Sequence, residues 1–341
     1  MRNSIKLTLI AALQASSLSF AAGSFSVKDW SADLDKAIAK NDRKAVTQLL
    51  DFNKVEAQAL PNCDDCNEKK NLADARRLFG QQKYADALQA YSKISKDSDN
   101  WLFSVEEKGW TYFRQDKYDE ALAQTKTLLS PTFEGIVDTE SYFLQALSQL
   151  RICDYKGVFL TNRLFKKAQR QRIIDIQDLA DKGTNQALVN WVAKTDSFPV
   201  KFKDVAENTK SLPLLVFRDL DVQRNLLKMK LASYAKSKGF NSAQKTYDQA
   251  SMKFKARVKA LAQSETEDNF KLIQKLNLLE VEAIQRVHTD QELNKKITSK
   301  GQFQEVGKDQ LVFLDDGNPW IDELDKYQVS AQSCRSVRRK M

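Results

Sequence analysis

Residues 75–91, Ala75…Tyr84-x-x-Ala87-x-x-x-Tyr91, are followed 34 positions later by Gly109…Tyr118-x-x-Ala121-x-x-x-Thr125. Tyr84 to Tyr118 and Ala87 to Ala121 are the same interval, and each tyrosine has a small residue nine positions before it. Ala146 and Tyr155 continue the pattern as a third, more degenerate copy with Val158 and Asn162, and segment 33–52 reads as a divergent earlier one. A period near 34 is the length of one helical hairpin, and such a hairpin cannot bury its own apolar face, so copies must stack. Small residues on facing surfaces let two helices cross closely, and the tyrosine fills the space beside the turn.

The rest of the composition agrees. Only 10 glycines and 5 prolines occur in 341 residues, too few for the many tight turns of a β-sandwich or propeller. The expected fold class is all-α: a solenoid of helical hairpins followed by longer helices, with a short extended C-terminal segment folded back. Residues 166–216 read as short helices broken near Gly183, Pro199 and Pro213. Phe217 to Lys238 forms an amphipathic helix stopped by Gly239. Two more follow, one to about Gln263 and one from about Asp268, giving a helical hairpin or short coiled coil. The C-terminal forty residues carry a possible hairpin or flap at Gln302–Leu314 and then Trp320-Ile321-Asp322-Glu323-Leu324, Tyr327 and Cys334.

The chain opens with Arg2 and Lys6, an apolar run from Leu7 to Ala12 and the small-x-small site Ser19-Phe20-Ala21. That is the layout of a secretory signal peptide cut after about Ala21, which places the mature chain in a periplasm or outside the cell. No later segment approaches the length of a membrane span. The expected organisation is 1–21 signal peptide, 22–68 helical region with a CxxC loop, 69–170 repeats, 171–300 long amphipathic helices and 301–341 C-terminal segment with a basic tail. The formal charge is +9, or +7 once Arg2 and Lys6 are removed. Outside the cytoplasm that excess excludes nucleic acid as a partner and favours cell-wall polymer, an anionic membrane surface or acidic proteins. Arg335, Arg338, Arg339 and Lys340 form its densest patch.

Four cysteines, Cys63, Cys66, Cys153 and Cys334, suit two disulfides in an oxidising compartment, with three possible connectivities. A Cys63–Cys66 bridge across a loop and a Cys153–Cys334 staple require nothing further. A zinc site would need all four thiols together, and the aspartates between Cys63 and Cys66 would oppose the thiolate of a redox pair. No cofactor is expected.

Gln82-Lys83-Tyr84-Ala85-Asp86-Ala87-Leu88 and Asp116-Lys117-Tyr118-Asp119-Glu120-Ala121-Leu122 resemble tetratricopeptide repeats over residues 69–165. That resemblance implies a non-enzymatic scaffold that holds peptides or proteins on the concave face of its first helices. By register the face comprises Arg76, Phe79, Trp110, Phe113, Arg114, Leu147 and Arg151, an aromatic floor with arginine rims suited to apolar anchors and acidic groups. The Trp320–Tyr327 stretch with Cys334, and Arg151-Ile152-Cys153-Asp154-Tyr155, are similar to periplasmic repeat proteins of deltaproteobacteria, including gliding-motility envelope components. This similarity implies that Cys153 and Cys334 belong together and that the partners are envelope proteins.

Enzyme chemistry has few footholds. His288 is the only histidine, so a multi-histidine metal site is excluded and every histidine-dependent triad would share it. Glu140-Ser141-x-Phe143 imitates the opening of a lytic transglycosylase motif, making Glu140 the candidate acid of a peptidoglycan-acting alternative, but Leu150-Arg151-Ile152-Cys153 stands where its second motif would be. Gly239 to Thr246 is one residue short of a phosphate loop and has no strand before it. An oligomerising coiled coil formed by residues 240–300 is the third reading.

Overall fold

The computed structural model describes residues 24–60, 67–200 and 210–289. The expected signal peptide, Cys63, Cys66, Cys334, the C-terminal flap and the basic tail lie outside them. Among the described residues the fold is all-α: twelve α-helices, short 3-10 turns such as Pro131–Phe133, and two two-residue strands.

Helices α1 (Val27–Ala39), α2 (Arg43–Leu49) and α3 (Phe52–Ala59) are followed by three successive hairpins. These are α4 (Asn67–Gly80) with α5 (Tyr84–Ser92), α6 (Trp101–Arg114) with α7 (Tyr118–Leu128), and α8 (Thr139–Arg151) with α9 (Tyr155–Lys182). Helix α10 (Gln186–Lys194), α11 (Leu220–Ser237) and α12 (Ala243–Thr289) complete the chain.

Each hairpin turns in the same way. In α4–α5 the residue in the left-handed region is Gln82; its N–H donates to Phe79 O, and that of Lys83 donates to Leu78 O. Asp116 and Lys117 repeat this onto Phe113 and Tyr112, and Cys153 and Asp154 onto Leu150 and Gln149. Asn41 and Asp42 do the same between α1 and α2, as do Gly239 and Phe240 between α11 and α12. This double bond pattern satisfies the carbonyls left open at a helix end. In two turns the next residue also caps the following helix, Asp42 accepting from the Ala45 N–H and Asp154 from the Gly157 N–H.

The small residues sit where the helices meet. Ala75, Ala87, Ala121 and Ala146 are fully buried. A Cβ on Gly109 would stand 2.7 Å from Leu144 Cδ2 and 3.4 Å from Gln124 Cβ, so α6 reaches both α7 and α8 only because that side chain is missing.

Two expected helix lengths are corrected. Residues 166–182, expected to be in short helices, continue α9 up to the break at Gly183, because no glycine or proline interrupts residues 158–182. The two helices expected around 242–263 and from 268 are one helix of 47 residues, α12, since nothing in Gln263-Ser264-Glu265-Thr266-Glu267 can stop it. It packs against α11, α9 and α8. The hairpin expected between those two helices is therefore absent; α12 pairs with α11 instead, and its apolar residues, including Phe254, Val258, Leu276 and Ala283, are buried within the chain.

The largest core joins the two ends of the described chain: Trp30, Leu34, Phe52 and Val55 pack with Ile176, Leu179, Trp191, Phe217, Leu227 and Phe254. Trp30 Nε1 donates to Leu49 O, and its ring meets Phe52 and Tyr234. Strands β1 (Phe25–Ser26) and β2 (Ser197–Phe198) pair antiparallel and fix the register of this closure. A second core lies under α4 to α7, and a third joins α8 and α9 to the C-terminal half of α12.

Candidate functional site

Helices α4, α6 and α8, the first of each consecutive hairpin, contribute side chains to one cavity of about 380 Å³, together with Tyr91 of α5. Its lining is Arg76, Phe79, Tyr91, Glu107, Trp110, Arg114 and Glu140. Trp110 lies edge-on to Phe113 at 5.7 Å and tilted to Phe143 at 6.0 Å, so α6 and α8 share an aromatic layer. Phe79 and Phe113 each rest on the tyrosine that opens the following helix, at 5.8 Å from Tyr84 and 5.3 Å from Tyr118.

Arg76 is not a free rim cation. Its Nε and Nη2 both donate to Glu107, at 2.9 and 2.6 Å, which bridges α4 to α6 with a fork geometry. Burial, helped by the neighbouring Glu107 carboxylate, pushes the Tyr91 phenol far up, so it stays protonated. Arg114 lies one turn beyond Trp110 and is exposed.

Behind this wall three carboxylates converge. Glu106, Asp138 and Glu140 each place an oxygen within 4.8 Å of the others. Asp138 caps α8 by accepting the Glu140 N–H at 2.8 Å, and the Ser141 hydroxyl donates to Glu106 at 3.2 Å. Burial is the main cause that raises Glu106 well above the usual carboxylate range, with Asp138 and Glu140 adding repulsion. Asp138 is raised by the same burial, against the α8 N–H groups and Arg172. Glu140 is raised by burial and then by Asp138, with Lys275 and Trp110 opposing. The indole N–H of Trp110 is directed toward this carboxyl without reaching regular hydrogen-bond geometry. As ligands the three acids would offer one oxygen each to a hard cation, and protons compete for the same oxygens.

Helix α12 closes one side. Lys275 stands over the Phe143 ring at 5.4 Å, and Asn269 accepts from the Thr139 hydroxyl at 2.5 Å.

Of the seven residues read from the register, four line the cavity: Arg76, Phe79, Trp110 and Arg114. Phe113 stands behind Trp110. Leu147 packs, partly buried, against the core of α8, α9 and α12, and Arg151 is exposed at the end of α8 near Tyr118. Glu140, singled out for a different reason, joins the cavity wall. Register reasoning missed Glu107 and Tyr91. Tyr91 had a signal, being the last residue of the quoted repeat. Glu107 had none, because its partner lies 31 residues away on another helix. Cys153 is disulfide-bonded, and the expected pairing involves residues outside the described ones. His288 is exposed in the last turn of α12, and Gly239 serves the α11–α12 turn with φ +90°. No family model, curated protein or solved structure matches this chain.

Proposed function

We propose that this chain is an exported, non-enzymatic scaffold of tetratricopeptide-repeat type that binds envelope proteins or peptides on the face of its first helices. One observation carries the reading: side chains from three consecutive first helices converge on a single aromatic cavity behind an N-terminal segment with the layout of a signal peptide. A cavity lined by Phe79, Trp110 and Tyr91 with a few charged groups has the make-up of an anchor pocket, where one large side chain supplies most of the binding energy. A groove built on helices holds such groups in place better than loops would.

The test is a crosslinking pull-down of the mature chain from its own cell envelope, compared with a Trp110→Ala, Arg114→Ala double variant. The scaffold reading expects a reproducible set of proteins that is lost with the variant. An unchanged set sinks the assignment of this face. Retention of glycan in place of protein would instead favour the peptidoglycan-acting alternative, which has the raised, half-buried carboxyl of Glu140 as its support.

A further inference from the structure

We infer that the cavity receives a cationic side chain, the ammonium or guanidinium of a lysine or arginine in a bound peptide, seated between Glu140 and the ring faces of Trp110 and Phe79. This rests on the peptide-binding reading of the same face and sharpens it, and it reverses the acidic preference that the arginine-rich register suggests.

The charge balance within the cavity differs from that of the whole molecule. The chain is basic overall, yet Arg76 is held by both of its donors on Glu107. An anionic ligand at Arg76 would have to break that fork, and one at the exposed Arg114 would still share the cavity with Glu140, with Glu106 and Asp138 close behind it. A cation meets the opposite situation. Glu140 is partly desolvated and has like charge around it, with Lys275 on α12 partly offsetting it. A ligand ammonium would replace lost hydration for that carboxylate, and a charge-assisted bond in a half-buried site is worth more than one in water.

The aromatic residues support the same ligand. Ring faces attract cations through their quadrupole. The site already shows this preference, since Lys275 stands 5.4 Å over Phe143, and Phe143 packs on Trp110. The volume of about 380 Å³ accommodates a long aliphatic stem with its charged head. Arg114, exposed one turn along α6, is left to meet a carboxylate or carbonyl elsewhere on the same peptide.

The experiment immobilises the full mature chain and applies four degenerate heptapeptide libraries that differ only at the central residue: lysine, arginine, norleucine or glutamate. The expected result is about ten-fold more lysine and arginine peptide retained than glutamate peptide, with norleucine between. Glu140→Gln should bring lysine down to the norleucine level while circular dichroism stays unchanged. Should that variant misfold, the wild-type ratio of lysine to norleucine peptide retained reads the same contribution. Equal retention of glutamate and lysine, or a lysine advantage that survives Glu140→Gln, overturns the inference. If norleucine or glutamate peptides bind and Trp110→Leu abolishes it, the face binds peptides and only the cation preference fails. If Trp110→Leu changes nothing, or no library is retained, the peptide-binding reading fails with it.

Discussion

Glu106 and Glu107 are neighbours in the chain and opposites in the fold. A step of one residue turns about 100° around a helix, which carries Glu107 to Arg76 and the cavity and turns Glu106 inward against Ser141, Asp138 and Glu140. The buried acid binds its proton more tightly in the folded chain than in the unfolded one. Folding stability therefore falls as pH rises from the unfolded carboxyl's range through the raised folded one, and is constant above it. Glu106→Gln keeps an acceptor for Ser141 and removes that loss. Its melting temperature should exceed the wild type's at pH 7.5, by on the order of 2–4 °C, and the gap should close toward pH 4. A scanning-calorimetry series over that range checks it; a lower melting temperature at pH 7.5 contradicts the assignment. None of this is legible in the letters Glu106-Glu107, because only the neighbours brought by other helices tell the two apart. Gly109 is the contrasting case: its small size was legible from the repeat, and the approach of Leu144 accounts for it.

At the scale of elements, the hairpins were legible wherever the apolar and small residues keep their period. The turns were less so. Asn41, Gln82, Asp116 and Cys153 all adopt the left-handed conformation that glycine adopts most easily, so the usual stop signal is missing from four of five turns. The junction of α9 with α12 was not legible at all. Arg172, almost fully buried, meets Glu265 at 2.6 Å and donates to Leu212 O, while Glu265 also accepts the Leu214 N–H. Burial raises the Glu265 carboxyl and Arg172 draws it back. Arg172→Ala leaves that acid buried without its counter-charge and should cost about 3–5 kcal/mol, read as a lower urea midpoint. Replacing both partners with Arg172→Met and Glu265→Leu should recover most of it. A single variant as stable as the wild type would mean that the pair contributes nothing.

The molecule as a whole is organised by α12. Forty-seven residues at 1.5 Å each make a rod of about 70 Å. Its first half, with Phe254, Val258 and Ala262, completes the core that holds α1 to α3 and α11, and its second half, with Leu276, Leu279 and Ala283, completes the core of α8 and α9. Sequence periodicity shows both apolar faces but not that they serve different partners, and this is why one helix reads as two. Wild-type chain should therefore melt in a single transition. Gln263→Pro, at an exposed position between the two halves, removes a backbone bond and clashes with the preceding turn. It should split the calorimetric transition into two; one undivided transition in that variant would show that the halves are coupled by other means.

The closure of α1 to α3 onto the later helices also sets a timetable. Tyr234 donates to Asp35 across 199 residues, and the Trp30 ring waits for the same tyrosine. At about 5–20 residues per second a ribosome needs roughly 10–40 s to cover that interval. During that time the opening helices have their contacts with one another and, later, with α9 and α10, but not the face of α11 that completes their core. The repeat hairpins, whose partners are near neighbours in the chain, can assemble meanwhile. A late clasp of this kind keeps the leading end of a nascent chain open, which is the condition in which a polypeptide can be threaded through a narrow pore.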